Sequence, residues 1–236
     1  SLDYIQRRLG AAAADTLILG TPFNFRRQMR VTIGGDMPAP DAPDYERDLP
    51  DWILSSIARS GGKALVLFTS TALMKRMANI VREPLRNDGL QLLVQGIGPS
   101  RYDLLQEFKR DIHSVLFGLD SFWMGVDVPG EALEHVIITR LPFAVPDHPL
   151  IEAKTEFITQ QGGNAFFDFT LPEAVIKLRQ GVGRLIRSTT DKGIITILDS
   201  RIVTKRYGQI FLKSLPPCPI EIVSSSGEVE EHESFE

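Results

Sequence analysis

Cysteine is nearly missing from this chain: Cys218 is the single one among 236 residues. One thiol excludes a disulfide framework, a cysteine-ligated zinc site and an iron–sulfur site built within the chain. It fits a reducing compartment, and the expected location is cytoplasmic. Histidine is scarce too, and His113, His135, His148 and His232 lack the spacing of metal ligands. No metal site is therefore expected. There is no G-x-x-x-x-G-K-[ST] phosphate loop, since Gly61-Gly62-Lys63 stands before a strand-like run rather than between strand and helix. No acidic pair of the Asp-Glu-x-His kind is present to hold magnesium. Phosphoryl transfer needs a phosphate cradle, a metal and a positioned water, so the chain alone is expected to be inactive in such chemistry. Apolar runs of about 18 residues, the length of a membrane span, are absent, and the first residues carry no basic-then-apolar leader pattern. The net charge of −4 gives no sign of a nucleic-acid partner, though an acidic protein can carry a local basic groove.

What remains is an ordinary globular composition, 43% hydrophobic and 24% charged, in a length sufficient for one large core. The chain begins at Ser1 inside a helical pattern (Leu2 to Leu9), and is expected to be a fragment. Thr16–Leu19 and Gln28–Ile33 read as short strands. A Pro- and Asp-rich connector follows from Gly34 to Pro50, and Asp51–Arg59 has helical spacing. From Lys63 the pattern alternates. The apolar run Lys63–Thr69 reads as a strand buried on both faces, and Leu90–Val94, Ser114–Phe117, His135–Thr139 and Gly193–Leu198 read as further strands. Leu73–Arg86, Arg101–Arg110, Leu150–Gln160, Leu171–Arg187 and Lys205–Ser214 read as helices between them, with Ile220–Val223 a last strand. Such alternation predicts an α/β fold with a doubly wound, mainly parallel sheet and helices on both faces. Residues 1–50 are expected to form a lead-in and connector, 51–223 the domain, and the glutamate-rich 224–236 a disordered tail.

Three segments could carry chemistry. In Leu171–Arg187, Thr170 and Glu173 suit a capping box, and Val175, Leu178, Val182, Leu185 and Ile186 share one helical face. Gln180, Arg184 and Arg187, at i, i+4 and i+7, share the opposite face. Two arginines beside a glutamine suit a triphosphate, since guanidinium groups match phosphate in charge and fork geometry. A solvated helix face is the plain reading of the same spacing. Gly181 and Gly183 each cost such a helix about 1 kcal/mol against alanine, which points to close approach of a ligand or another backbone. The second segment, Gly118–Gly130, follows a strand end, where open α/β sheets bind ligands. Its Phe122 and Trp123 are either core anchors or neighbours of unpaired bases. The third, Phe68–Thr71, enters a helix, where Thr69 and Ser70 could hold a backbone phosphate or merely cap the helix.

Together these segments resemble a known family. Gln180-Gly-Val-Gly-Arg-Leu-Ile-Arg187 is similar to motif VI of superfamily 2 helicases in the form used by the DinG/XPD branch. Ser121-Phe-Trp-Met-Gly-Val-Asp-Val-Pro-Gly130 resembles that branch's motif V, and Leu65-Val-Leu-Phe-Thr-Ser70 its motif IV. Leu141-Pro-Phe, Asp199-Ser-Arg201, Tyr207-Gly208 and Leu215-Pro216 also read as DinG-like. The resemblance implies a RecA-like fold, the second of two motor domains with ATP and magnesium bound mainly by the first. An iron–sulfur cluster in that first domain is a feature of some relatives. The implied partners are single-stranded DNA and the first motor domain, with no membrane. The resemblance implies Arg187 as arginine finger, Arg184 as a second γ-phosphate contact and Gln180 near the phosphates or the attacking water. It implies Gly125, Asp127 and Gly183 at the nucleotide, and Thr69, Ser70, Arg101, Ser121 and Trp123 along the DNA. Met124 departs from the pattern, which has glutamate before the motif V glycine. The alternative is a nucleic-acid-binding or nuclease-associated relative with weakened motor activity.

Overall fold

A computed structural model describes residues 2–17, 19–123, 132–145, 148–183 and 185–232. The chain opens with α1 (Leu2–Leu9), a short α2 (Phe25–Gln28), β1 (Met29–Gly34) and α3 (Tyr45–Ala58). Then come β2 (Ala64–Leu67), α4 (Thr71–Asn87), β3 (Gln91–Val94), α5 (Arg101–Arg110), β4 (Ser114–Gly118) and α6 (Asp120–Trp123). β5 (His135–Ile138), α7 (Pro149–Gln160) and a π-helical turn, Phe166–Thr170, lead directly into α8 (Leu171–Val182). β6 (Gly193–Ile197), α9 (Arg201–Thr204), α10 (Gly208–Ser214), β7 (Ile220–Val223) and β8 (Val229–His232) complete the described chain.

The strands form one sheet in the order β3-β4-β2-β5-β6-β1-β7-β8, parallel throughout except for the antiparallel β7–β8 edge. The central strands are apolar on both faces because each faces a separate core. Leu65, Leu67, Leu116, Val136, Ile138, Ile195 and Ile197 point to the core beneath α8 and α10. Their alternates Ala64, Val66, Phe68, Val115, Phe117, Ile137 and Leu198 point to the core beneath α3 and α4. The doubly wound α/β architecture is thus as expected.

Several boundaries differ from the sequence reading. β1 lies inside the sheet, between β6 and β7, so part of residues 1–50 belongs to the domain rather than to a lead-in. Thr16, Leu17 and Leu19 are not strand, and both leucines are largely exposed. α3 starts at Tyr45 and carries Pro50 inside it. Burial of Tyr45, Leu49, Trp52, Ile53 and Ile57 in one core offsets the roughly 3 kcal/mol that an internal proline costs a helix. Lys205 and Tyr207 lie outside helix, and two short helices replace the single one expected there. Val229–His232 is a strand, in register with Ile220–Val223, rather than disordered tail. Glu230 is exposed there, as an edge strand presents side chains to water.

Candidate nucleotide and nucleic-acid interface

In a parallel sheet every strand exits at the same edge, and that edge gathers the candidate residues. β2 delivers Thr69 and Ser70, β4 leads into α6, β5 delivers Thr139 to Leu141, and β6 delivers Asp199 to Arg201. A cleft of about 440 Å3 opens here, with Thr69, Phe143, Thr170, Lys177 and Gln180 among its walls. Thr69 and Gln180, read from separate segments, therefore face one space. Gln180 is exposed and Thr69 half-buried.

Ser70 caps α4: its hydroxyl oxygen accepts from the Leu73 N–H at 3.3 Å. That acceptor bond leaves the hydroxyl proton able to point outward. Ser121 is held from two sides. The Gln95 side-chain amide donates to its hydroxyl at 2.9 Å, and the Arg101 guanidinium donates to its carbonyl at 2.7 Å while lying 5.1 Å from the Phe122 ring centroid. Gln95 also accepts from the Leu119 N–H at 2.7 Å. Sequence reasoning passed over Gln95, although its position just beyond β3 is the same signal that marked Thr69.

Trp123 is a correction. It is fully buried, its indole N–H points to the Phe68 carbonyl at 3.5 Å, and Lys177 Nζ sits 5.7 Å from its ring. No ring face is open to a base, so of the two readings the core anchor holds. Gly181 has the same explanation, since a Cβ there would lie 2.9 Å from Trp123 Cε3. The close approach that its presence implied is by a side chain, not a ligand.

The helix expected to reach Arg187 ends at Val182, with Gly183 as its exposed C-cap. A Cβ on Gly183 would lie 3.1 Å from the Arg179 carbonyl. Arg187 therefore does not share a helical face with Gln180, and the i, i+4, i+7 argument fails there. Instead Asp191 organises the loop: its carboxylate accepts from the N–H groups of Arg187 at 2.8 Å and Ser188 at 2.9 Å, and from the Ser188 hydroxyl at 2.6 Å. Partial burial works to raise the Asp191 pKa, but those bonds and the nearby Arg187 charge outweigh it and hold the carboxyl below its usual range. The capping box is absent as well. Thr170 continues the preceding helical turn and makes no side-chain cap, while Glu173 accepts from Tyr4 and Arg8 of α1. Arg184, Gly125, Asp127 and Met124 lie outside the described residues.

Behind the edge, Asp199 is wholly buried and takes four hydrogen bonds. Arg201 donates from its N–H (3.1 Å), Nε (2.9 Å) and Nη2 (2.7 Å), and Leu141 from its N–H (2.7 Å). Burial works against the Arg201 charge, yet its bonds to Asp199 raise its pKa above the ordinary value. Tyr45 donates to the Thr139 carbonyl, burial raising its pKa, and Arg140 stacks 4.6 Å from the Tyr45 ring. The exits of β5 and β6 are thereby locked together.

Among the described residues no three His, Cys, Asp or Glu side chains cluster as a metal site. Cys218 is buried, which pushes its thiol up to about 11 and leaves it inert at neutral pH. No helix among the described residues is long and apolar enough to cross a membrane.

With this geometry in hand, comparison with known proteins is informative. The chain is 42% identical over 216 residues to the ATP-dependent DNA helicase YoaA of Haemophilus influenzae, covering 92% of this chain and 33% of that protein. It is 39% identical over 232 residues to the 3'-5' exonuclease DinG of Bacillus subtilis, covering 96% and 25%. It thus spans about a third or less of the length of these curated relatives. Among solved structures, XPD in an apo form superposes with a TM-score of 0.65 at 19% identity, over 84% of this chain and 40% of that one. The C-terminal domain of the DEAD-box protein Dbp5 gives 0.52 at 14%, over 86% and 93%. These structural likenesses establish the RecA-like helicase-domain fold. Residues 53–218, more than half of the chain, match the helicase C-terminal domain family, and the chain belongs to it.

Proposed function

We propose that this chain is the second motor domain of a DinG-type ATP-dependent DNA helicase. The observation that carries the reading is sequence identity of 42% and 39%, across more than nine-tenths of the chain, to relatives named ATP-dependent DNA helicase YoaA and 3'-5' exonuclease DinG. The cleft shared by Thr69 and Gln180 adds to it, because a motor must place its nucleotide-sensing and strand-gripping groups against one another. In this reading Arg187 and Arg184 supply positive charge to a γ-phosphate, while Gln180 orients a phosphate or water. Gly125, Asp127 and Gly183 line the nucleotide, and Thr69, Ser70, Arg101 and Ser121 touch single-stranded DNA. The phosphate cradle, the magnesium site and any iron–sulfur cluster belong to a first motor domain in this reading, since the sequence has no phosphate loop and a single cysteine and the described residues hold no acidic cluster. A cytoplasmic location is part of the same reading.

The test is ATPase activity of the full-length protein stimulated by single-stranded DNA. Arg187→Ala should reduce turnover by about 10³-fold with DNA binding intact, as for other arginine fingers. Turnover near that of the parent protein removes Arg187 from the mechanism.

A second reading is a nuclease-associated or DNA-binding relative without a strong motor. It draws on the exonuclease name of one relative and on Met124 in place of the usual glutamate. Salt-sensitive DNA binding with no ATPase in the full-length protein selects it.

A further inference from the structure

The amino edge of the sheet carries a second, differently built surface. Met29 begins β1, Gly193 begins β6, and Glu134 and Pro219 immediately precede β5 and β7; all four line an open cavity of about 300 Å3. Thr69 and Asp199 follow their strands, so this cavity lies at the opposite edge from the cleft that holds Gln180. Its walls include Arg26 and Arg27 of α2, Arg30 of β1, Arg59 at the end of α3, and Lys192 at the entrance to β6.

The charges there are unbalanced. Arg30 pairs with Glu221 at 3.1 Å, and Glu134, the one acidic side chain among the described residues lining the cavity, is engaged by Lys63 at 2.8 Å. Among the described residues Arg26, Arg27, Arg59 and Lys192 have no carboxylate partner. Four cations gathered round one concavity repel each other, in a chain whose net charge is −4. A cavity lined by one sign of charge focuses its field outward and concentrates counter-ions. Three of the four are arginines, whose forked donors fit phosphate oxygens. The backbone beneath them is fixed: Gln28 is buried and its side-chain amide donates to the carbonyls of Ser188 and Asp191, both at 2.9 Å. This ties α2 to the loop that Asp191 organises around Arg187.

We propose that this amino-edge cavity is a second phosphate site, which takes the sugar–phosphate backbone of a DNA strand outside the carboxyl-edge track. The choice of DNA as the source of the phosphate rests on the proposed helicase function; the site itself does not. Phosphate held between α2, the end of α3 and Lys192 relieves the repulsion. It also stiffens the Ser188–Lys192 loop, so that DNA contact and the placement of Arg187 become linked.

Amide chemical shifts of the 236-residue chain, titrated with a single-stranded oligothymidylate and separately with inorganic pyrophosphate, test this without ATP. The oligonucleotide should move the amides of residues 26–30, 59–60 and 192–194 in addition to those near 69–70. The triple charge-removal variant Arg27→Gln, Arg59→Gln, Lys192→Gln should bind it about tenfold more weakly at moderate salt. The slope of log affinity against log salt should fall by about 2, at about 0.7 per phosphate neutralised on single strands. Unchanged affinity and slope, with amino-edge amides unmoved by the oligonucleotide, overturn the proposal. Movement of those amides by pyrophosphate alone also overturns it, as a small-anion site. Because no readout involves ATP turnover, loss of this site and loss of the motor reading are distinguishable.

Discussion

Gly181 and Trp123 are in direct opposition: the indole ring occupies the place where a side chain on residue 181 would stand, with Cε3 2.9 Å from an ideal Cβ and Cζ3 at 3.1 Å. The contact lays α8 against α6 at the exit of β2, where Leu67 Cδ1 lies 3.4 Å from the same point. Gln180 precedes that glycine, so the packing of Trp123 sets where Gln180 enters the cleft.

Gly181→Ala should therefore destabilise the domain despite alanine's better helix propensity. Overpacking a filled site costs about 1–3 kcal/mol, against about 1 kcal/mol gained in propensity. Trp123→Ala should cost about 3–5 kcal/mol by leaving a cavity. Urea denaturation midpoints with unchanged slopes measure both, and a Gly181→Ala protein more stable than its parent contradicts the packing account.

Ser70 separates capping from phosphate contact. Ser70→Ala removes the acceptor for the Leu73 N–H and should cost about 1 kcal/mol. Ser70→Asp keeps a good cap but sets a negative charge at the strand track, so thermal stability should stay near the parent value while single-stranded DNA affinity falls. Equal DNA affinity in Ser70→Asp and the parent assigns Ser70 to capping alone.

His135 makes stability depend on pH. It is buried, its ring nitrogens meet Ser60 Oγ at 3.1 Å and Thr196 Oγ1 at 2.7 Å, and desolvation with the Arg59 charge lowers its pKa to about 3. The unfolded chain takes up this proton near pH 6.5 and the folded chain only near 3. The unfolded state therefore binds more protons between those values, and stability is lost as pH falls through that window. At pH 5 the loss should be about 2 kcal/mol relative to pH 7.5, read from urea midpoints. His135→Gln should lack this component, and identical pH dependence in the two proteins rejects it.

Asp199→Ala should cost about 2–4 kcal/mol, because it strands the Arg201 guanidinium, three-quarters buried, and the Leu141 N–H without acceptors. Hydrogen exchange should accelerate at Leu141 before the strands of the sheet respond. Protection at Leu141 equal to the parent's speaks against the lock between the β5 and β6 exits.

Local pattern alone was enough to read the alternation of strands and helices, the burial of β2 on both faces, and the strand-end placement of Thr69 and Ser121. These depend on periodicity and on short-range turn chemistry, which each segment carries within itself. The helicase family came instead from the resemblance of three ordered motifs, Leu65–Ser70, Ser121–Gly130 and Gln180–Arg187, each a contiguous run, and residues 53–218 match it. Tertiary structure decided the rest. β1 enters between β6 and β7, and Val229–His232 adds an edge, because strand partners come from distant segments and no local pattern names them. A helical wheel extended α8 to Arg187, but the chain leaves the helix at Gly183 once Leu185 and Ile186 find the core and Asp191 takes the Arg187 and Ser188 N–H groups. Trp123 read from sequence as a core anchor or a neighbour of bases, and a glycine 58 positions later in the chain is what leaves room for its ring in the interior. Side-chain burial is a property of what packs opposite, and only the folded chain states what that is.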